Sequence, residues 1–237
     1  MAMVAWRDSA TRDAFGIGDV VPDWAFGEGP DPLVDGLGPV PAQRKYIAVT
    51  TRWDRDVLSE DKVALLRGLA ERHGLTLQVY SQVRRDYEHT KRLADALHPG
   101  TGPILFQDQT HAEWEQQVRA LHRESAVVAS DRAHALIIGV TEGAIPLPIS
   151  NFTTEKVVRT LRTAGFAPPA DDESDVEGYL TSQLADRSSI ERRIVVAREE
   201  LTAARNRLRA VAAGRQTREA RDGAPGAANS PQVSRTG

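Results

Sequence analysis

Residues 127–150, VVASDRAHALIIGVTEGAIPLPIS, decide the fold. Ser125–Ala129 is a run of small and β-branched residues and reads as a buried strand. Arg132–Val140 reads as a short apolar helix, and Ala144–Ile149 as the next strand. Two strands that are apolar on both faces, joined by a helix, are the pattern of a βαβ unit in a parallel sheet. Outward from this unit the alternation continues. Upstream, Lys45–Thr51 (KYIAVTT), Leu75–Tyr80 and Pro103–Phe106 read as strands. Between them, Ser59-Glu60-Asp61-Lys62 opens a helix with a capping-box pattern that varies at its last position. This helix runs through Val63, Leu65, Leu66 and Leu69 to a stop at Gly74. Further helices are expected over Asp86–Leu97, Thr110–His122 and, downstream, Thr154–Ala164, closed by Gly165. Five strands separated by helices over residues 45–165 predict an α/β fold: one Rossmann-like parallel sheet flanked by helices.

The flanks differ in character. Residues 27–43 carry Gly-Pro breaks and little periodicity, the signature of a linker, so residues 1–44 stand apart from a domain over 45–185. Residues 170–173 are acidic, and a helix is expected over Asp175–Leu184. Within residues 186–213, Ile190, Ile194, Ala197, Leu201, Ala204, Leu208 and Val211 are spaced by alternating steps of 4 and 3. This heptad spacing fits an amphipathic helix packed on its own domain and equally a short coiled coil, which would make a homodimer through 190–211. Residues 214–237 are poor in apolar side chains and are expected to be a disordered tail.

Composition narrows the function. The 237 residues include no Cys, which removes disulfides, thiolate metal sites and Cys nucleophiles. No apolar run approaches the length of a membrane span, and the N-terminus lacks the basic-then-apolar pattern of a signal peptide, so a cytoplasmic location is expected. Residues 186–237 hold 11 Arg and six acidic residues, a balance of +5, which leaves −8 for residues 1–185 in a chain of net charge −3. An acidic body does not suit nucleic acid, whose partners cluster basic residues on the folded face. The six His show no metal-ligand spacing with carboxylates.

Open parallel sheets bind ligands beyond the carboxyl ends of their strands. The loops at that edge carry Thr51-Arg52-Trp53-Asp54, Ser81 to Asp86, Ser130-Asp131-Arg132-Ala133-His134, and Ser150-Asn151-Phe152 followed by Lys156. Ser130 or Asp131 is the expected N-cap, which places Arg132 and His134 in the first helical turn. A helix N-terminus attracts anions, so Arg52, Arg132, His134 and Lys156 on one edge predict a phosphate or carboxylate site. The dipole and Arg132 are expected to lower the pKa of His134.

The 127–150 segment, followed by an aromatic and Lys156, resembles the C-terminal half of the polysaccharide pyruvyl transferase family. That family carries an Arg-x-His element with Leu between, where this chain has Ala133. The strand ending at Arg52, the loop from Gln82 to Asp86, Arg7-Asp8-x-x-Thr11 and Pro22-Asp23-Trp24-Ala25-Phe26 resemble further family elements, in the same order. The resemblance, over residues 4–166, implies the C-terminal domain of a GT-B-like enzyme. Its first Rossmann-like half would precede Arg7, and residues 1–44 would be that half's remnant and linker. It implies transfer of a pyruvyl group from phosphoenolpyruvate, with no other cofactor, to a sugar of a cell-surface glycan as a cyclic ketal. His134 would act as general acid and Arg52 and Arg132 would hold the donor. Gln82, Asp86, Ser130, Asn151 and Lys156 would contact substrate, and the partners would be phosphoenolpyruvate and a lipid-linked glycan acceptor at the membrane periphery. Two alternatives stand beside it: a GT-B glycosyltransferase using a nucleotide sugar, and a non-catalytic assembly module acting through the heptad helix.

Overall fold

The computed structural model describes residues 3–32, 44–169 and 175–222, with side chains through residue 213. Its centre is a parallel sheet of β3 (Tyr46–Thr50), β4 (Thr76–Val79), β5 (Ser125–Ser130) and β6 (Ile145–Pro148), in the order β4-β3-β5-β6. Val49 pairs with Val79 on one side and Ala129 on the other. Every residue of β5 and β6 is buried, as expected of strands covered on both faces. The chain is therefore α/β, with helices flanking a parallel sheet.

The expected strand at Pro103–Phe106 is reduced to a single parallel bridge between Tyr80 and Ile104. Ile104 donates to Val79 and accepts from Ser81, but Pro103 has no N–H with which to extend the ladder. Phe106 instead turns inward and stacks on Trp114, with ring centroids 4.9 Å apart. With Ile104 counted at the edge, sheet position reverses between β3 and β5, which makes their carboxyl ends the switch point.

Helices α2 (Glu60–His73) and α3 (Tyr87–Leu97) touch each other, as do α4 (His111–Glu124) and α5 (Ala133–Thr141). Right-handed crossovers put the first pair on one face of the sheet and the second on the other. Gly74 closes α2 in the left-handed region, as its sequence position predicts. Ser59 makes no side-chain cap. The reciprocal capping box is at Thr110 and Glu113, which the sequence reading did not single out. Beyond β6 come α6 (Glu155–Arg162), α7 (Val176–Ala185) and the long α8 (Ser188–Asp222).

Residues before the sheet form β1 (Ala5–Trp6), α1 (Ser9–Phe15) and β2 (Asp19–Val20), a small parallel pair with its own crossover, and then a 3-10 turn at Trp24–Gly27. This segment is not detached. Phe26 is buried and stacks on Phe166, and Arg198 of α8 donates to the carbonyls of Phe26, Glu28 and Pro30. Ile190, Ile194, Ala197, Leu201 and Ala204 are all buried within this chain. That part of the heptad seam is thus spent on intramolecular packing, and of the seam's larger residues Leu208 is exposed. The helix continues to Asp222, into the stretch expected to be a disordered tail; residues 223–237 lie outside the described residues, as do 33–43 of the expected linker and the acidic stretch at 170–173. Among the described residues no helix is long and apolar enough to cross a membrane.

Helix α5 lies very close to β5 because Gly139 faces Val128. A Cβ at Gly139 would sit 2.6 Å from Val128 Cγ2. Gly139→Ala should therefore lower stability by about 1–3 kcal/mol despite the better helix propensity of Ala, read as a lower midpoint in urea unfolding with an unchanged slope.

Candidate functional site

A cleft of about 390 Å³ opens at the carboxyl ends of β3 and β5, at the switch point. Arg52, Gln82, Arg132, His134 and Lys156, five of the eight residues expected from sequence, line it. Arg7 and Arg55 add two further guanidinium groups, and Asp131 is the one carboxylate among the lining residues. The cleft lies between the N-terminal ends of α5 and α6, where the first N–H groups of a helix have no intrahelical acceptor. A strongly cationic wall with two such helix ends suits a small polyanion.

The three loops at the switch point meet on one side chain. Asp86 is fully buried, and its carboxylate accepts from Arg132 Nη2 at 2.5 Å. It also accepts the backbone N–H groups of Trp53 (3.3 Å), Gln82 (3.1 Å) and Val83 (2.9 Å). Asp86 is thus a positioning residue, sealed beneath the cleft, and not the substrate contact expected of it. Ser130 is also fully buried, and its hydroxyl accepts from the N–H of Arg132 at 3.0 Å, so it shapes the loop from below. Asn151 faces away into a neighbouring cleft, where Oδ1 accepts from Ser59 N–H and Nδ2 donates to the Val57 carbonyl, both at 2.8 Å.

Neither Ser130 nor Asp131 caps α5. The cap position falls on Arg132 with no side-chain cap bond. The Asp131 carboxylate turns instead to the N–H of Arg52 at 3.1 Å, which ties the β5 loop to the β3 loop. Burial raises the Asp131 pKa above its ordinary value, even with Arg132 and Arg52 close by. The guanidinium of Arg52 is itself gripped by Asp54, through Nε at 2.8 Å and Nη2 at 2.6 Å. This pairing raises the Arg52 pKa and lowers that of Asp54 to about 2. An incoming anion must displace Asp54 to use the fork of Arg52.

The expectation for His134 is overturned. Its Nε2 lies 3.6 Å from Asp23 Oδ2, and this carboxylate, more than any other group, raises the imidazole pKa above 6.5. Asp23 is lowered to about 2 by the same contact. Arg7 Nη1 donates to the same oxygen, Asp23 Oδ2, at 3.4 Å. Sequence order hid this, because Asp23 lies in the segment read as a remnant of another domain.

Arg55 and Asp131 were also missed. Arg55 follows Arg52 by one turn, closed by a hydrogen bond from Arg55 N–H to the Arg52 carbonyl, and its guanidinium lies 4.6 Å from the centre of the Phe152 ring. The signal was the second Arg in TRWDR, which only the turn brings back to the cleft. Local sequence points to Asp131 only as a helix cap. Beneath the floor, buried His89 shares a hydrogen bond with Thr51 Oγ1 at 2.8 Å, and burial lowers its pKa. Comparison with protein-family models, with curated proteins and with solved structures gives no match.

Two outcomes follow from this geometry. Arg132→Ala leaves the buried Asp86 carboxylate with its backbone donors alone, and should cost about 3 kcal/mol of stability in chemical denaturation. The His134 ring should titrate above 6.5 by NMR and return toward that value in Asp23→Asn. The sign is fixed by both partners. The His134 share of the contact is complete below 6.5 and is lost as pH rises through its raised value. The Asp23 share is complete above 3.8 and is lost as pH falls toward about 2.

Proposed function

We propose that the cationic cleft binds phosphoenolpyruvate and that the protein is a polysaccharide pyruvyl transferase-like enzyme of cell-surface glycan assembly. One observation carries the reading: Arg7, Arg52, Arg55, Arg132, Lys156 and His134 meet in a single cleft at the sheet's switch point. Phosphoenolpyruvate carries a phosphate and a carboxylate on adjacent positions of a three-carbon enol, and a wall of arginines suits both groups. The reading takes the fold as the donor-binding domain of a GT-B-like arrangement. The Rossmann-like sheet order and the position of the cleft support that.

In this reaction the C3 methylene of the donor takes a proton, and positive charge develops at C2. Two hydroxyl oxygens of a pyranose bond to C2 as the C2–O bond to phosphate breaks. One hydroxyl proton balances the proton delivered to C3, and the other leaves with phosphate. His134 supplies the proton to C3, a role that its raised pKa favours because imidazolium persists closer to neutral pH. Arg52, Arg132 and Lys156 hold the donor's charges, and Gln82, which lines the same cleft, contacts substrate beside them. Asp131, raised by burial, is placed to accept a hydroxyl proton.

Calorimetry with phosphoenolpyruvate tests the reading. Arg52→Ala and Lys156→Ala should each weaken binding by about tenfold, the loss of one charge-assisted contact. Asp54→Asn should tighten it, because the fork of Arg52 is then released from its internal partner. Unchanged affinity in both the Arg52 and the Lys156 variants, or tight binding of a nucleoside diphosphate in place of phosphoenolpyruvate, would remove the assignment.

A further inference from the structure

A second cleft, of about 780 Å³, lies beside the cationic one and shares Ser150, Phe152 and Thr153 with it as a common wall. Phe152 is 49% exposed. Arg55 covers one face of its ring and lines the first cleft only. Phe152 itself lines both clefts.

The loop that carries the ring is held in place. Phe152 N–H donates to Ser150 Oγ at 3.1 Å, and Asn151 staples the same loop to the chain before α2 through Ser59 and Val57. Across the cleft stand Asp61 and Lys62 in the first turn of α2, with Leu65 one turn on. The side chains of Asp61 and Lys62 have no hydrogen-bond or ion-pair partner among the described residues. The other acids of this cleft are engaged: Glu177 with Arg72 and His73, and Asp175 with the N–H of Gly178.

A pre-positioned aromatic face opposite a free carboxylate and a free ammonium matches a pyranose. The C–H bonds of one sugar face lie on the ring, while hydroxyls on the edge donate to the carboxylate and accept from the ammonium. We infer that the second cleft is a pyranose-binding site, with the sugar stacked on the free face of Phe152 and its hydroxyls on Asp61 and Lys62. Its identity as the acceptor site rests on the donor reading above. A sugar stacked there has hydroxyls at the shared wall, directly beside the cleft assigned to phosphoenolpyruvate.

Saturation-transfer NMR on the full chain, with methyl β-D-galactopyranoside and methyl α-D-mannopyranoside as probes, tests the site. Transfer from protein to sugar protons is expected with at least one of the two. Affinity should fall about tenfold in Phe152→Ala and about threefold in Asp61→Asn, and persist in Phe152→Tyr. Asp61 does not line the first cleft, so Asp61→Asn should bind phosphoenolpyruvate within about twofold of the parent chain. If Phe152→Ala does not fold, the Asp61→Asn and Phe152→Tyr pair decides. Undiminished transfer in both Phe152→Ala and Asp61→Asn, no transfer with either probe, or displacement of the sugar by uridine would overturn the site. A pyranoside that binds at Phe152 while phosphoenolpyruvate fails to bind would sink the donor reading and leave the sugar site standing.

Discussion

Asp86 is the constraint on which the site depends. Its buried carboxylate would be costly alone, and it is stabilised because four donors converge on it: Arg132 and the N–H groups of Trp53, Gln82 and Val83. Those donors come from the loops after β3, β4 and β5, so one charge aligns three strand ends. A loop that follows a parallel strand has no ladder of its own to hold it. The carboxylate supplies the missing acceptors, and the floor of the cleft takes its shape from that.

The same arrangement explains how so many cations tolerate one another. Arg132 is neutralised from beneath by Asp86, Arg52 from the rim by Asp54, and Arg7 and His134 from the N-terminal segment by Asp23. The three carboxylates differ in availability. Asp86 is sealed and holds its partner in one geometry, whereas the Asp54 pair is exposed, screened by solvent, and open to exchange with a ligand. A site built this way stays folded when empty and still presents positive charge to an incoming anion.

The N-terminal segment supplies one wall of the cleft, and α8 holds that segment down. Arg198 reaches three carbonyls of the 24–30 region, and Phe26 fills the gap against Phe166. The apolar stripe from Ile190 to Ala204 is the means of this attachment, so the heptad spacing served the interior of the chain. Spacing by 4 and 3 marks a buried face without specifying whether its cover comes from the same chain.

The sequence by itself determined the α/β architecture, the positions of four strands and their helices, and the edge of the sheet at which Arg52, Arg132, His134 and Lys156 gather. These follow from local periodicity, from stops such as Gly74, and from the handedness of parallel crossovers, all of which are written over short stretches of chain. The expected fifth strand shrank to one bridge because Pro103 cannot donate, and Ser130 and Asp131 do not cap the helix because their side-chain oxygens accept the N–H groups of Arg132 and Arg52. Only the tertiary structure decided which expected ligands face the cleft and which lie buried under it. Asp86 and Arg132, or Asp23 and His134, are distant in sequence, and their pairing depends on how the loops meet after the sheet has formed. Charge acts through space at a few ångströms, so the His134 pKa is raised by a neighbour that its own helix does not carry.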